Sequence, residues 1–379
     1  MFHSRFDELS TGDPVTIAEY IWVNGPGCDI RSKTLFLHTE CSTLDDFPTT
    51  TVKGKVSEEE YSDVVLKPVY YCPDPFRVNP GDKKCTAYLV LCETYNCDES
   101  TPLYTNMRHI AIQIFEESLV KHERPWFGWQ QEYVLMETMG TFNKPIGFPD
   151  GGFAAPQLDE KTGIQRYLFG NGASIVFGRE IAETHMRCCL AAGLDFAGLN
   201  ADEFPGQWEF RIGPVEGING CDQLWIARYI LVRVAEEFGC RVSFEPRPVK
   251  NGEWSGSGCH TAYSTLSTRA ENGYEKLIEM VSELGKHHES HLFIYDSIKG
   301  KKKGVEKDQF TFVVSSRNTS IRIPVKSVKE KKGFLEDRRP NAHCDPYLVG
   351  GALVDTTLLK CKYEKKLVEA CTKIKSASE

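Results

Sequence analysis

The chain has 379 residues, 45 Lys and Arg against 53 Asp and Glu, a net charge of −8, and a composition 41% hydrophobic and 26% charged, which suits two hydrophobic cores and excludes a disordered chain. No stretch approaches the roughly 18 apolar residues of a spanning helix, and the opening Met-Phe-His-Ser-Arg-Phe-Asp-Glu-Leu lacks the apolar segment of a secretory signal. A soluble, cytosolic protein with no membrane association is expected. Its acidic balance, with no basic tract longer than 299–303, also argues against a nucleic-acid partner, because neutralising phosphates needs clustered Lys and Arg.

Residues 16–23 are rich in β-branched and aromatic types, stop at Asn24-Gly25-Pro26-Gly27 and resume over 30–37, which predicts a hairpin. Strand-like runs follow at 64–71 and 87–93, so residues 1–105 should form a small, mainly β domain. Ile112, Phe115 and Leu119 fall at helical spacing and predict a helix over 108–121, leading into a larger domain over 106–360. There, 223–238 carries Leu224, Ala227, Leu231, Val234, Ala235 and Phe238 on one face before Gly239, a helix stop. A second helix is predicted over 273–291, with Leu277, Met280, Val281 and Leu284. Strands over 241–244 and 311–314 lie between helices, so the class is α+β. Residues 361–379 form a Lys-rich tail in which Leu367, Val368, Cys371 and Ile374 are spaced as the stripe of a solvated terminal helix.

The 14 cysteines are scattered singly apart from Cys188-Cys189, and none forms a C-x-x-C pair. Free, mostly buried thiols are therefore expected rather than a zinc ribbon or a redox dithiol.

Acidic residues beside apolar ones stand out in the larger domain: Glu132, Asp202, Glu209 and Glu336, with His260 in Gly256-Ser257-Gly258-Cys259-His260-Thr261. Converging, they would make an oxygen-rich set with one imidazole, which suits Mg²⁺ or Mn²⁺ better than zinc. Taken singly, each is as well explained as a salt-bridged or capping carboxylate. Arg317 and Arg322 flank Asn-Thr-Ser-Ile, and Arg338 and Arg339 follow Glu336. A guanidinium fork grips phosphate or carboxylate in two places, so these arginines beside acidic metal ligands fit a nucleotide-dependent ligase; surface ion pairing is the alternative.

Read together, these strings resemble the glutamine synthetase family of the eukaryotic type, from about residue 17 to about residue 359. They are Ala-Glu-Tyr-Ile-Trp-Val at 18–23, Asp-Pro-Phe-Arg at 74–77, Thr-Asn-Met-Arg-His at 105–109, Pro-Trp-Phe-Gly at 125–128, Gln-Trp-Glu-Phe at 207–210, Gly-Cys-His-Thr at 258–261, Ser-Ile-Arg-Ile-Pro at 320–324 and Glu-Asp-Arg-Arg-Pro at 336–340. The resemblance implies an N-terminal β-grasp domain, a catalytic domain of curved sheet plus helices, and a ring-shaped homo-oligomer with active sites between subunits. It further implies ATP and a divalent metal as cofactors, and a small-molecule carboxylate and amine as substrates, joined through an acyl phosphate. By motif position, Glu132, Asp202, Glu209, His260 and Glu336 would be metal ligands, with Gln130 a weak sixth. Trp126, the run from Glu209 to Pro214, Ser264, Arg317, Arg322 and Phe334 would line ATP, and Arg317 and Arg338 would face the phosphoryl group and the acid as catalytic residues.

The chain departs from the family pattern in one direction. Gln130-Gln131-Glu132 stands where Glu-Gln-Glu is usual; a charge lost at about 4 Å from a cation removes roughly 1 to 4 kcal/mol of attraction per unit cation charge. Phe47-Pro48-Thr49-Thr50-Thr51-Val52 replaces Phe-Asp-Gly-Ser-Ser, so Thr50, a poor base, falls where an Asp would take the proton of ammonium. Between Tyr295 and Arg317 the chain is shorter than the family and carries neither the Arg nor the His-Glu pair of a flap that shields the acyl phosphate from water, Glu306 being the one local acid that could substitute. Ala262 and Ser255 stand where Asn is usual, and 159–165 is an insertion. Two functions are expected from this balance: a ligase joining the acid to an amine other than ammonia, or a catalytically impaired paralogue that binds nucleotide or assembles as a hetero-oligomer with an active glutamine synthetase.

Overall fold

The computed structural model describes residues 14–24, 29–55, 61–77, 85–138, 144–149, 166–249, 256–296 and 309–377. The predicted hairpin forms as β1 (Val15–Asn24) and β2 (Asp29–Leu37), paired antiparallel from Asn24 opposite Asp29 to Thr16 opposite Leu37. β3 (Thr50–Lys55) and β4 (Tyr61–Pro73) pair antiparallel, and β5 (Cys85–Tyr95) inserts between β4 and β1, running parallel to β1. The five-stranded order is β2-β1-β5-β4-β3.

Alternation along β1 gives this sheet two apolar faces. Ala18, Tyr20 and Trp22 join Phe47, Leu66 and Val90 in a small core, whereas Ile21, Leu89 and Leu91 join the large core of the rest of the chain. Polar contacts reinforce the junction with α4 (Asn219–Glu237): Tyr229 donates to Glu19 at 3.0 Å, and Arg108 bridges Glu93 and Asp222 at 3.0 and 2.9 Å.

The second sheet has eight strands. Its path is β11 (Phe312–Val314), β12 (Ile321–Ile323), β13 (Leu335–Asp337), β10 (Cys259–Ser264), β6 (Trp126–Glu137), β8 (Gln207–Glu216) and β7 (Phe196–Ala201), with β9 (Cys240–Ser243) pairing the far end of β6. Phe127, Trp129 and Tyr133 of β6, Phe210 of β8 and Tyr263 of β10 lie fully buried in the large core with residues of α4 and α9 (Pro346–Leu358). The α+β class expected from the sequence is thereby present.

Helix boundaries depart from the sequence expectation in two places. The helix predicted over 108–121 is two, α1 (Met107–Phe115) and α2 (Ser118–Glu123), because Glu117 turns extended (ψ 135) and its carboxylate accepts from Lys362 and Tyr363, each at 2.5 Å. The one predicted over 273–291 divides at His287 into α6 (Gly273–Lys286) and α7 (His288–Tyr295). Between them in the chain lie α3 (Arg179–Ala191), which packs on α4, and α5 (Leu266–Arg269). Gly239 does stop α4, in a left-handed conformation at φ 65. The C-terminal helix expected from the Leu367, Val368, Cys371 and Ile374 stripe forms as α10 (Glu364–Ser376), which buries Leu367, Cys371 and Ile374 and contacts α7 and α9. The described cysteines are free thiols. Among the described residues no helix is long and apolar enough to cross a membrane.

Candidate metal and phosphate site

Period-two alternation decides which side chains leave the core. Phe127, Trp129, Gln131 and Tyr133 are fully buried on one face of β6, so Gln130 and Glu132 project from the other. Strand register then aligns their neighbours. Glu132 stands opposite Glu209 of β8, and Gln130 lies between Arg211 of β8 and His260 of β10. One step further, Ala262 of β10 pairs with Glu336 of β13, and Glu336 with Arg322 of β12. A cavity of about 490 Å³ opens over this face, lined by these residues except Ala262, by Asp202 after β7, by Arg317, Asn318 and Thr319 ahead of β12, and by Arg338 after β13.

Three of the expected metal ligands meet. Glu132, Glu209 and His260 each offer an atom, all within 4.8 Å of one another. The two carboxylates are 6% and 7% exposed, and like charges set directly opposite in a ladder repel. Gly258 N–H donates to Glu132 Oε2 at 2.7 Å and Arg211 Nε to Glu209 Oε1 at 2.8 Å, while His260 Nδ1 lies 3.5 Å from Glu132 Oε1. Two hard oxygen donors and one imidazole fit a Mg²⁺- or Mn²⁺-type ion.

The expected five-ligand set is nonetheless divided. Glu336 gives one oxygen to Arg322 at 2.7 Å and the other to Arg338 at 2.5 Å. Arg338 in turn reaches His260 Nδ1 at 3.4 Å and donates to the Arg317 carbonyl at 2.8 Å. Glu336 and Asp202 thus line the cavity beside the three-residue cluster without joining it, and Gln130 lines the same cavity.

Trp126, Pro214, Ser264 and Phe334 are not in the cavity lining. Trp126 pairs with Ser264 at the opposite end of β6 and β10, four residues and about 13 Å from the Gln130–His260 pair at the strand rise. The Arg269 guanidinium covers the Trp126 ring at 4.1 Å and donates to Ser264 Oγ at 3.0 Å, and Trp126 Nε1 donates to Glu216 Oε2 at 3.2 Å. Phe334, 38% exposed, precedes the Leu335 partner of Tyr263, and Pro214 is exposed on β8. Thr50 opens β3, at the edge of the other sheet, and is not part of the lining. The 299–303 run, Glu306, Ser255 and the 159–165 insertion lie outside the described residues.

Arg211 falls within the 209–214 run expected to line the nucleotide, and being two residues from Glu209 on a strand puts it on the same face. Asn318 and Thr319 carry no role in the sequence expectation. Beneath the site, buried Arg228 donates twice to Gln131 Oε1, at 2.9 and 2.6 Å, and to the carbonyls of Cys344 and Ala342, which fixes the residue between Gln130 and Glu132. Behind β13, Asp337 accepts from Arg339 and Tyr295. Burial and the Arg339 charge keep the adjacent His291 neutral, with its pKa well below the ordinary imidazole value.

The family model described as the glutamine synthetase catalytic domain matches residues 114–289. The chain is 42% identical over 363 residues to glutamine synthetase of Mus musculus, covering 93% of this chain and 92% of that one. It is 38% identical over 360 residues to the glutamine synthetase cytosolic isozyme of Medicago sativa, covering 93% and 96%. To glutamine synthetase 1, mitochondrial, of Drosophila melanogaster it is 40% identical over 367 residues, covering 94% and 87%.

Proposed function

The chain belongs to the glutamine synthetase family, and from that premise we propose that it is an ATP-dependent ligase that activates a glutamate-like carboxylate as an acyl phosphate and joins it to an amine larger than ammonia. The observation that carries the ligase reading is the convergence of Glu132, Glu209 and His260 in the cavity that Arg322 and Arg338 also enter. Those three residues would hold a divalent cation, Mg²⁺ or Mn²⁺, which would supply charge neutralisation for phosphate oxygens.

The arginines do the rest of the anion binding. Arg338 and Arg317 flank the cavity from the β13 and β12 sides, where forked donors can take the phosphoryl group and the acid substrate. Arg322 and Glu336 border the strip that leads along β10 to Ser264, Trp126 and Phe334, whose exposed rings suit a nucleotide base. The γ-phosphoryl passes to a carboxylate oxygen with release of ADP. The amine nitrogen then bonds to the acyl carbon, loses a proton, and phosphate leaves.

Three features support a larger amine. Gln130 brings an uncharged side chain to the metal-facing row, Thr50 stands where an ammonium-holding Asp is expected, and the sequence between Tyr295 and Arg317 is shorter than the family's and lacks the Arg and the His-Glu pair of its flap. Assembly into a ring-shaped homo-oligomer and a cytosolic location belong to the same proposal. The test is to incubate the full chain with ATP, Mg²⁺ or Mn²⁺, glutamate and a panel of amines, following ADP and new amide. Amide formed with a substituted amine and not with ammonia supports the reading; ordinary glutamine formation overturns the amine claim.

The Glu336 geometry favours a second reading, in which Arg322 and Arg338 stay neutralised by that carboxylate and the chain serves as an impaired paralogue in a hetero-oligomer with an active glutamine synthetase. Absence of ADP with every amine, with co-purification of an active synthetase, decides for it.

A further inference from the structure

A second cluster of metal-ligating side chains lies outside the ligase cavity. His287, at the junction of α6 and α7, faces Cys361 in the turn after α9 and Glu364 at the start of α10, and their donor atoms all lie within 4.8 Å of one another. Cys361 Sγ is 3.5 Å from His287 Nδ1, which is 2.9 Å from Glu364 Oε1. In a tetrahedral zinc site, with Zn–S near 2.3 Å and Zn–N or Zn–O of about 2.0–2.2 Å, ligand atoms stand about 3.3–3.7 Å apart. The sulfur–nitrogen separation already matches, and the nitrogen–oxygen one needs about half an ångström.

The thiol is held in place by the turn that carries it. Lys360 and Cys361 both take left-handed backbone, at φ 55 and 59, which non-glycine residues seldom adopt. The Cys361 N–H donates to the Asp355 carbonyl at 3.1 Å, and the Asp355 carboxylate accepts from Tyr363 N–H at 3.0 Å. All three donors are half-buried, so a water can complete the shell. A thiolate with an imidazole selects a borderline-soft ion, whereas the oxygen-rich cavity cluster suits a hard one.

We propose that His287, Cys361 and Glu364 form a structural Zn²⁺ site that ties the α6–α7 junction to the α9–α10 turn. The site is coupled to the catalytic sheet through one hydrogen-bonded path. Thr356 Oγ1 lies 3.7 Å from Cys361 Sγ and 2.8 Å from His291 Nε2, His291 Nδ1 meets Tyr295 OH at 3.0 Å, and Tyr295 donates to Asp337, the neighbour of Glu336, at 3.0 Å. A bound ion would brace the helices that support β13.

The experiment is Co²⁺ reconstitution of the full-length, chelator-treated protein, because only a site containing cysteine gives a near-ultraviolet thiolate-to-cobalt band. Wild type is expected to show the band, Cys361→Ser to lose it, and Glu132→Ala, altered in the cavity cluster, to keep it. Zn²⁺ should abolish the band by displacement and raise the thermal midpoint of wild type but not of Cys361→Ser. Circular dichroism of the variant confirms that it folds, since the exchange is at a half-buried turn. No band in wild type, or a band that persists in Cys361→Ser, overturns the site.

Discussion

Glu132 of β6 and Glu209 of β8 are direct register partners, two buried carboxylates facing each other in one ladder. Antiparallel pairing with opposed like charges is destabilising, and at about 4 Å the repulsion is roughly 1 to 4 kcal/mol. The Gly258 amide and Arg211 offset part of it. The proposed cation between them would lower it further, so ion binding would relieve a local cost in the fold.

Glu132→Gln therefore stabilises the metal-free protein, by about 1 kcal/mol or more, since the amide oxygen can still accept from Gly258. Thermal unfolding in chelator should show a higher midpoint for the variant. Adding Mn²⁺ should raise the wild-type midpoint and leave the variant nearly unmoved.

Gln130→Glu returns a carboxylate to the row between Arg211 and His260. Mn²⁺ affinity, by calorimetry, should rise about fivefold or more, the equivalent of 1 kcal/mol. An unchanged affinity would place Gln130 outside the ion's reach.

Buried Arg228 depends on Gln131 for two of its hydrogen bonds. Gln131→Leu leaves that charge short of acceptors and should cost about 2–3 kcal/mol in urea unfolding. Pairing it with Arg228→Met should recover most of the loss, because an apolar pair leaves no polar group stranded.

Legibility in the sequence followed periodicity. The β1–β2 hairpin shows as two runs of β-branched and aromatic residues broken at Asn24-Gly25-Pro26-Gly27, and α4 as apolar residues at helical spacing that end at Gly239. α9 is buried on nearly every side from Pro346 to Thr356, so it has no amphipathic period to find. The break at Glu117 is set by Lys362 and Tyr363, far along the chain, and no local pattern encodes it. In the site, residue types announced the chemistry of Glu132, Glu209 and His260. The capture of Glu336 by Arg322 and Arg338 depends on register between β12 and β13, which spacing alone does not reveal.

His185 is fully buried between Ala227 O and Cys189 Sγ, and burial pushes its pKa down to about 4 from an ordinary 6.5. Its folded form stays neutral while the unfolded chain takes up a proton. Stability is thus complete above pH 6.5 and falls as pH drops towards 4, by about 3 kcal/mol from this group. His185→Gln should flatten that slope relative to wild type in urea titrations at pH 5 and pH 7.5; parallel slopes would contradict the assignment.

The most direct measurement is Mn²⁺ binding to the full chain and to Glu132→Gln, Glu209→Gln and His260→Ala, read by calorimetry. Each single substitution should weaken the same site about tenfold or more, a change of roughly 1.4 kcal/mol. Equal affinities in all four proteins would mean that these residues share no ion, and the ligase reading would lose its basis.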